Sequence, residues 1–260
     1  MGLPQVTISL KKISQVDNKG WFAEWFDTEY YHTLYQNRDE EEAAQFIQNL
    51  CKHLSLGNGA KVADIACGKG RHSRVLAGMG CQVTGYDLSN NSINYAKLHA
   101  LGSELFEVHD IRNPYKSANF NAAVNLFTSF GYFETQQEDL DSLQNIFNML
   151  LPGGYFVQDY INGLPITEGL PASSVQECNK LRFEIQKQWE PPYIIKKIRV
   201  VQQQENQDFM EKVKVYSCEE LQDLHTSVGF HVKSVFGNYQ LSDFNALQSP
   251  RIIIISQKPL

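Results

Sequence analysis

No long apolar run interrupts this 260-residue chain. Arg251 is followed by only four isoleucines, against the roughly 20 apolar residues that a bilayer-spanning helix needs. The first residues also lack a basic stretch followed by an apolar one, so no signal peptide is read. Positive charge is scarce as well. Lys and Arg total 23 against 29 Asp and Glu, and the net charge of -6 gives no global attraction to nucleic acid or to an anionic membrane. Cysteine is sparse and odd in number. Cys51, Cys67, Cys81, Cys178 and Cys218 form no Cys-x-x-Cys pair, which argues against both a disulfide framework and a zinc site. The seven histidines do not fall at metal-ligand spacing with acids or cysteines. These absences lead us to expect a cytoplasmic chain with reduced thiols, no metal, no nucleic-acid partner and no membrane.

What remains is ordinary globular material, 42% hydrophobic and 20% charged, enough to build a substantial core. Residues 21–54 read as helical. Trp21, Phe22, Trp25 and Phe26 fall at helical offsets, Tyr30, Tyr31, Leu34 and Tyr35 continue them, and a second helix is expected from about Asp39. Beyond residue 60, strands and helices alternate. Strands are expected at 61–65, 82–86, 105–108, 120–126 and 155–158. Helices are expected at 71–79, at 89–100 behind a capping Ser89, and at 140–151. Such alternation argues for a parallel sheet with right-handed crossovers. Residues 170–216 differ. Leu181–Gln186, Ile194–Val200 and Met210–Tyr216 alternate or are β-branched, as antiparallel strands with one wet face do. A helix at 218–228 and two final strands, 231–236 and 251–256, end the pattern.

The stretch Asp64-Ile65-Ala66-Cys67-Gly68-Lys69-Gly70 lies between the first strand and the next helix. Its small residues let the backbone turn sharply and pass close to a ligand. Asp87 follows Gly68 by nineteen residues, at the end of the second strand, where an acid can accept from both ribose hydroxyls of a nucleotide. A tight turn with an unrelated surface acid would look the same from these residues alone. Two nucleotide patterns are missing: position 71 or 73 is Arg or Ser where Gly-x-Gly-x-x-Gly needs glycine, and no Gly-x-x-x-x-Gly-Lys-Ser/Thr occurs.

Asp-x-Ala-x-Gly-x-Gly followed by Asp87 resembles motif I and its successor in class I S-adenosylmethionine (SAM)-dependent methyltransferases. His109-Asp110-Ile111, Asn125-Leu126-Phe127-Thr128-Ser129-Phe130-Gly131-Tyr132 and Leu151-Pro152-Gly153-Gly154 match later motifs in order, so the resemblance covers at least residues 31–160. Ala66 departs from the glycine usual there. The family implies an α/β fold: a Rossmann-like seven-stranded, mostly parallel sheet with an antiparallel last strand, flanked by helices. Here it would carry an antiparallel β-rich insertion after the fifth strand. Residues 1–169 with 217–260 would form the core with its N-terminal helical cap, and 170–216 a lid or dimer contact. The resemblance also implies site roles. Asp64 would organise the loop under the cofactor's amino-acid part. Ala66, Cys67 and Gly68 would offer backbone contacts, Asp87 would hold the ribose, and Leu88 would cover the adenine. Asp110 and Ile111 would read the adenine edge, and Leu126 would expose its backbone near the methionine part.

Tyr31-x-x-x-Tyr35-x-x-Arg38 places three side chains on one helix face, either as an ordinary amphipathic surface or as a cofactor contact. With Ser129-x-Gly131-Tyr132, the pattern resembles small-molecule N-methyltransferases of the aminosugar kind, which implies that Tyr35 and Arg38 bind SAM. His72 and Arg71, opening the helix after motif I, either face the cofactor's methionine end or lie on the surface. Glu190-Pro191-Pro192-Tyr193 superficially resembles the Asp/Asn-Pro-Pro-Tyr motif of DNA adenine methyltransferases. It follows the fifth strand rather than the fourth, and reads as a turn. Methyl transfer asks mainly for alignment and a dry site. Tyr31 and Tyr132 are the candidate catalytic residues, with Asp159 and Tyr160 also near the expected methyl. The expected protein is a monomeric or homodimeric transferase acting on a small-molecule acceptor, at nitrogen in preference to oxygen and yielding S-adenosylhomocysteine. The alternative is a SAM-binding sensor or carrier.

Overall fold

The computed structural model describes residues 20–36, 40–202 and 205–260. The chain divides into two compact units, Arg38–Glu168 with Val215–Leu260, and Met1–Asn37 with Gly169–Lys214.

The larger unit is built on seven strands: β1 (Lys61–Ile65), β2 (Gln82–Asp87), β3 (Glu104–Val108), β4 (Phe120–Asn125), β5 (Leu150–Ile161), β10 (His231–Phe236) and β11 (Arg251–Gln257). Their order is β10-β11-β5-β4-β1-β2-β3. The pairs β1–β2, β1–β4, β2–β3 and β4–β5 are parallel, and β11 runs antiparallel to both of its neighbours. This is the expected sheet. Strands β1 and β11 are buried on both faces over most of their length, as strands covered on each side must be. Helices α3 (Glu40–His53) and α4 (Arg71–Gly78) cover one face, where Phe46, Ile47 and Leu50 meet Val62, Val83, Val124 and Ile253. Phe46 and Ile47 are wholly buried, contributing about 1.5–3 kcal/mol each. Helix α8 (Cys218–Ser227) sets His225 against Phe156 of β5. The His225 ring lies 2.8 Å from Ser256 Oγ and 2.9 Å from Gln158 Oε1. Burial pushes its pKa down to about 3, so the imidazole is neutral.

Local signals place most helix ends. Ser89 caps α5 (Asn90–Leu98), its hydroxyl accepting from the Ser92 N–H at 2.9 Å. Helix α6 (Gln136–Met149) starts four residues before the expected Leu140, because Thr135 and Glu138 form a capping box. Pro152-Gly153-Gly154, expected as a turn, instead lies within β5, where the register against β4 slips between Phe120 and Ala122. A short helix α7 (Gly163–Thr167) was not expected.

The smaller unit holds an antiparallel sheet, β6 (Ala172–Cys178), β7 (Leu181–Glu190), β8 (Tyr193–Val201) and β9 (Gln207–Lys214), in that order. Pro191 and Pro192 form the turn between β7 and β8. Strand β6 was not expected: it is an exposed edge with no apolar alternation. Helices α1 (Gly20–Trp25) and α2 (Glu29–Leu34) complete the unit, with Trp25 and Leu34 packed among Phe183, Ile185, Ile198 and Val200. Thr28 interrupts the expected continuous first helix, because its hydroxyl accepts from the Tyr31 N–H and starts α2 afresh.

Candidate active site

The loop after β1 emerges at the C-terminal end of the parallel strands, where open α/β sheets take their ligands. Ala66, Gly68 and Gly70 have φ values of 55°, 55° and 75°, so alternate residues are left-handed. Two of the three are glycine, which adopts this conformation freely; Ala66 does so at a cost of about 1–2 kcal/mol. Gly70 and Gly85 are also demanded by packing. A Cβ on Gly70 would come within 2.9 Å of the Phe106 ring, and one on Gly85 within 2.6 Å. The Phe106 ring thus sits under the loop with Cys67, Ile93 and Ala96. Gly68 is the opposite case. Nothing lies within 4 Å of where its Cβ would be, so the backbone there borders open space.

The nineteen-residue spacing closes as a hydrogen bond. The Gly68 N–H donates to Asp87 Oδ2 at 2.7 Å, and the Ser89 N–H donates to Oδ1 at 2.9 Å. Asp87 therefore ties the first loop to the end of β2 through both of its carboxylate oxygens. Asp64 lies beneath. It is 1% exposed and accepts the Ser73 hydroxyl at 2.6 Å. Burial raises its pKa to about 7; the Asp87 charge adds to the rise, while the Ser73 bonds and Arg71 oppose it.

Ile111 and Leu88 are part-exposed at the ends of β3 and β2. The carboxylate of Asp110 is bidentate with Arg112, at 2.7 Å for the Nη2–Oδ2 contact, and Arg112 reaches on to Glu138 at 2.9 Å. Burial alone would raise the Asp110 pKa, but the Arg112 bonds and charge hold it below the usual carboxylate range. Arg112 was not anticipated, although its position two residues after Asp110 could have suggested it.

The loop after β4 stands beside the glycine loop because Ile65 and Asn125 are register partners. The Asn125 amide donates to the Ile65 carbonyl at 3.1 Å and to the Ser129 carbonyl at 3.2 Å. Leu126 is buried, and its carbonyl accepts the Ser129 hydroxyl at 2.9 Å. Phe127 and Thr128 follow with φ of 61° and 60°. Two adjacent non-glycine residues in this region cost about 1–3 kcal/mol each and persist only where the surroundings over-determine them. The guanidinium of Arg71 lies 4.6 Å from the Phe127 ring centroid, and the His72 ring 5.7 Å. The Tyr132 hydroxyl turns back to donate to the Thr128 carbonyl. Asp159 is wholly buried in an ion pair with Arg251, and Tyr160 is wholly buried.

Tyr31 and Tyr35 belong to the smaller unit. Tyr31 packs against Trp25 and Phe26. Tyr35 caps the C-terminus of α2; its hydroxyl donates to Glu211 at 2.7 Å and accepts from Lys196. Helix α2 ends at Leu34, so the helical face expected to join Tyr31, Tyr35 and Arg38 stops before Tyr35. Arg38 lies outside the described residues. Among the described residues no group of three or more histidines, cysteines and acids could hold a metal, and no helix is long and apolar enough to cross a membrane.

The fold and loop geometry define a class I methyltransferase architecture. A family model described as a methyltransferase domain matches residues 56–220, well over half of the chain, and the chain belongs to this family of enzymes. It is 24% identical over 217 residues to the putative methyltransferase YqeM of Bacillus subtilis (strain 168), covering 78% of this chain and 86% of that protein. In three dimensions it is similar to an S-adenosylmethionine-dependent methyltransferase from Clostridium acetobutylicum ATCC 824. That match has a TM-score of 0.74 and 17% identity, and covers 89% of this chain and 96% of the other. It is also similar to the sugar N-methyltransferase KedS8 from Streptoalloteichus sp ATCC 53650, with a TM-score of 0.68 and 15% identity, covering 100% and 99%.

Proposed function

We propose that the chain transfers a methyl group from SAM to a small-molecule acceptor, at nitrogen in preference to oxygen. The observation that carries the cofactor reading is the Asp87 carboxylate bonded to the Gly68 N–H at 2.7 Å, beside backbone with open space above it. Bound there, the cofactor supplies an electrophilic methyl on a sulfonium. Asp87 holds the ribose hydroxyls, and Leu88 covers the base. Asp110 and Ile111 present the edge that reads the adenine, with Arg112 fixing the Asp110 carboxylate in place. Ala66, Cys67 and Gly68 line the amino-acid part, with Asp64 and Ser73 shaping the loop from below. Leu126 borders the methionine end. Tyr35 and Arg38 remain proposed cofactor contacts, and residues 170–216 a proposed lid or dimer contact.

The preference for nitrogen is supported by the absence of a poised base among the candidates in the larger unit. Asp159 is engaged in an ion pair with Arg251, Tyr160 is buried, and the Tyr132 hydroxyl is donating. The Tyr160 hydroxyl is also pushed well above its ordinary pKa, by burial first and then by neighbouring tyrosines and Asp139. A neutral amine attacks with its own lone pair, whereas a hydroxyl first needs a base. Tyr31 and Tyr132 remain proposed catalytic residues. Resemblance to a sugar N-methyltransferase fold points the same way. The net charge of -6 supports a small molecule over nucleic acid.

Calorimetry with S-adenosylhomocysteine tests the cofactor site. Asp87→Ala removes bonds to a charged group and should weaken binding by about 10–100-fold. Unchanged affinity in that variant, or no binding by the wild type, would sink the reading. A screen of small amines against hydroxyl acceptors for S-adenosylhomocysteine release tests the acceptor; turnover on hydroxyls alone refutes the nitrogen preference.

A further inference from the structure

Asp159 ends up at the centre of a network that the proposed chemistry does not use. Its Oδ1 accepts from Arg251 Nε at 2.7 Å. Its Oδ2 accepts from the Phe127 N–H at 2.8 Å and from the Tyr239 hydroxyl at 3.2 Å. Its main-chain carbonyl accepts from the Thr128 N–H at 3.0 Å, and Arg251 Nη2 donates to Thr128 Oγ1 at 2.9 Å. The backbone N–H groups of Phe127 and Thr128 and the Thr128 hydroxyl are therefore all met by this pair. Asp159 is 0% exposed and Arg251 16%. Taking such a pair out of water costs more than an apolar replacement would, so general stability is a poor reason for it. What the side chains of the pair supply is two directed bonds, one to each of two left-handed, non-glycine residues, and the Asp159 main-chain carbonyl adds a third.

Phe127 also faces the helix that follows the glycine loop. The Phe127 ring lies under Arg71 and beside His72, the first residues of α4, and against Tyr239 at 5.8 Å. A shift of Phe127 would be felt where the two loops meet.

We propose that Arg251 and Asp159 are positioning residues that lock Phe127 and Thr128 in their left-handed conformation and so shape the methionine end of the cofactor site. This rests on the cofactor site proposed above. The pair touches neither the glycine loop nor Asp87, so the nucleoside half of the site does not depend on it.

Two probes separate the halves. S-adenosylhomocysteine carries the amino-acid arm, and 5′-methylthioadenosine lacks it. Thr128→Val deletes only the hydroxyl, and Arg251→Lys keeps the charge on Asp159 but loses the fork to Thr128. Each should weaken S-adenosylhomocysteine about tenfold while leaving 5′-methylthioadenosine within about twofold. Thr128→Ser should restore the first affinity. Should Arg251→Lys fail to fold, Thr128→Val still decides the matter. Parallel losses for both probes, or no loss for either, overturn the proposal. Wild-type protein that binds neither probe overturns the cofactor reading itself, a distinct result.

Discussion

Asp64 offers a stability test that reaches the glycine loop from below. Its carboxyl is buried and raised from 3.8 to about 7, mainly by burial. Between those two values the folded protein keeps a proton that the unfolded chain releases. The Asp64 contribution to stability must therefore fall as pH rises from about 4 to about 7, then level off once both states are ionised. A shift of that size corresponds to about 4 kcal/mol. Asp64→Asn removes the ionisation while its amide oxygen can still accept the Ser73 hydroxyl. The amide also brings two donors into a buried place, which costs about 1–3 kcal/mol at every pH. The variant is thus expected to be less stable than wild type at pH 5, and to gain about 2–4 kcal/mol relative to it by pH 8. Urea unfolding of both proteins without cofactor, at pH 5 and at pH 8, measures this directly. Because other titrating groups are shared, the difference between the two proteins isolates Asp64. A difference that stays constant across that interval refutes a raised Asp64 pKa.

Gly68→Ala and Gly70→Ala should fail in different ways. At Gly68 the methyl meets no atom, so stability drops by only about 1 kcal/mol from the left-handed φ, while S-adenosylhomocysteine binding weakens about tenfold or more. At Gly70 the methyl meets Phe106 at 2.9 Å, and about 1–3 kcal/mol of stability is lost; thermal melting and calorimetry on both variants would show whether the two effects separate. For His225, with its pKa lowered to about 3, the unfolded chain takes up a proton below pH 6.5 that the folded protein refuses, so this residue erodes stability as pH falls from about 6.5 to about 3. Imidazole nitrogen shifts should stay those of the neutral ring down to pH 4; titration near 6.5 would refute the buried assignment.

The parts of this molecule that the sequence announces are those in which neighbours in the chain act together. Lys61–Ile65 and Arg251–Gln257 are recognisable strands because their own apolar runs need cover on both faces. Ser89 and the glycine loop work within a few residues of themselves. Thr28 and the Thr135–Glu138 box carry equally local signals, which divide the first helical stretch and set the start of α6. Strand β6 is different in kind: an exposed edge buries nothing, so Ala172-Ser173-Ser174 has no pattern to show. The Tyr35 hydroxyl finds Glu211 at a separation of 176 residues, and Arg251 finds Asp159 at 92. Partners so far apart in the chain meet only once it is folded, so neither pairing is legible beforehand. Phe127 and Thr128 carry the point furthest. Neither residue type favours a left-handed backbone, and a β-branched threonine resists it. Their conformation follows from Asp159 and Arg251, which arrive from two other strands, so the geometry of the post-β4 loop is a property of the assembled sheet and not of the loop's own sequence.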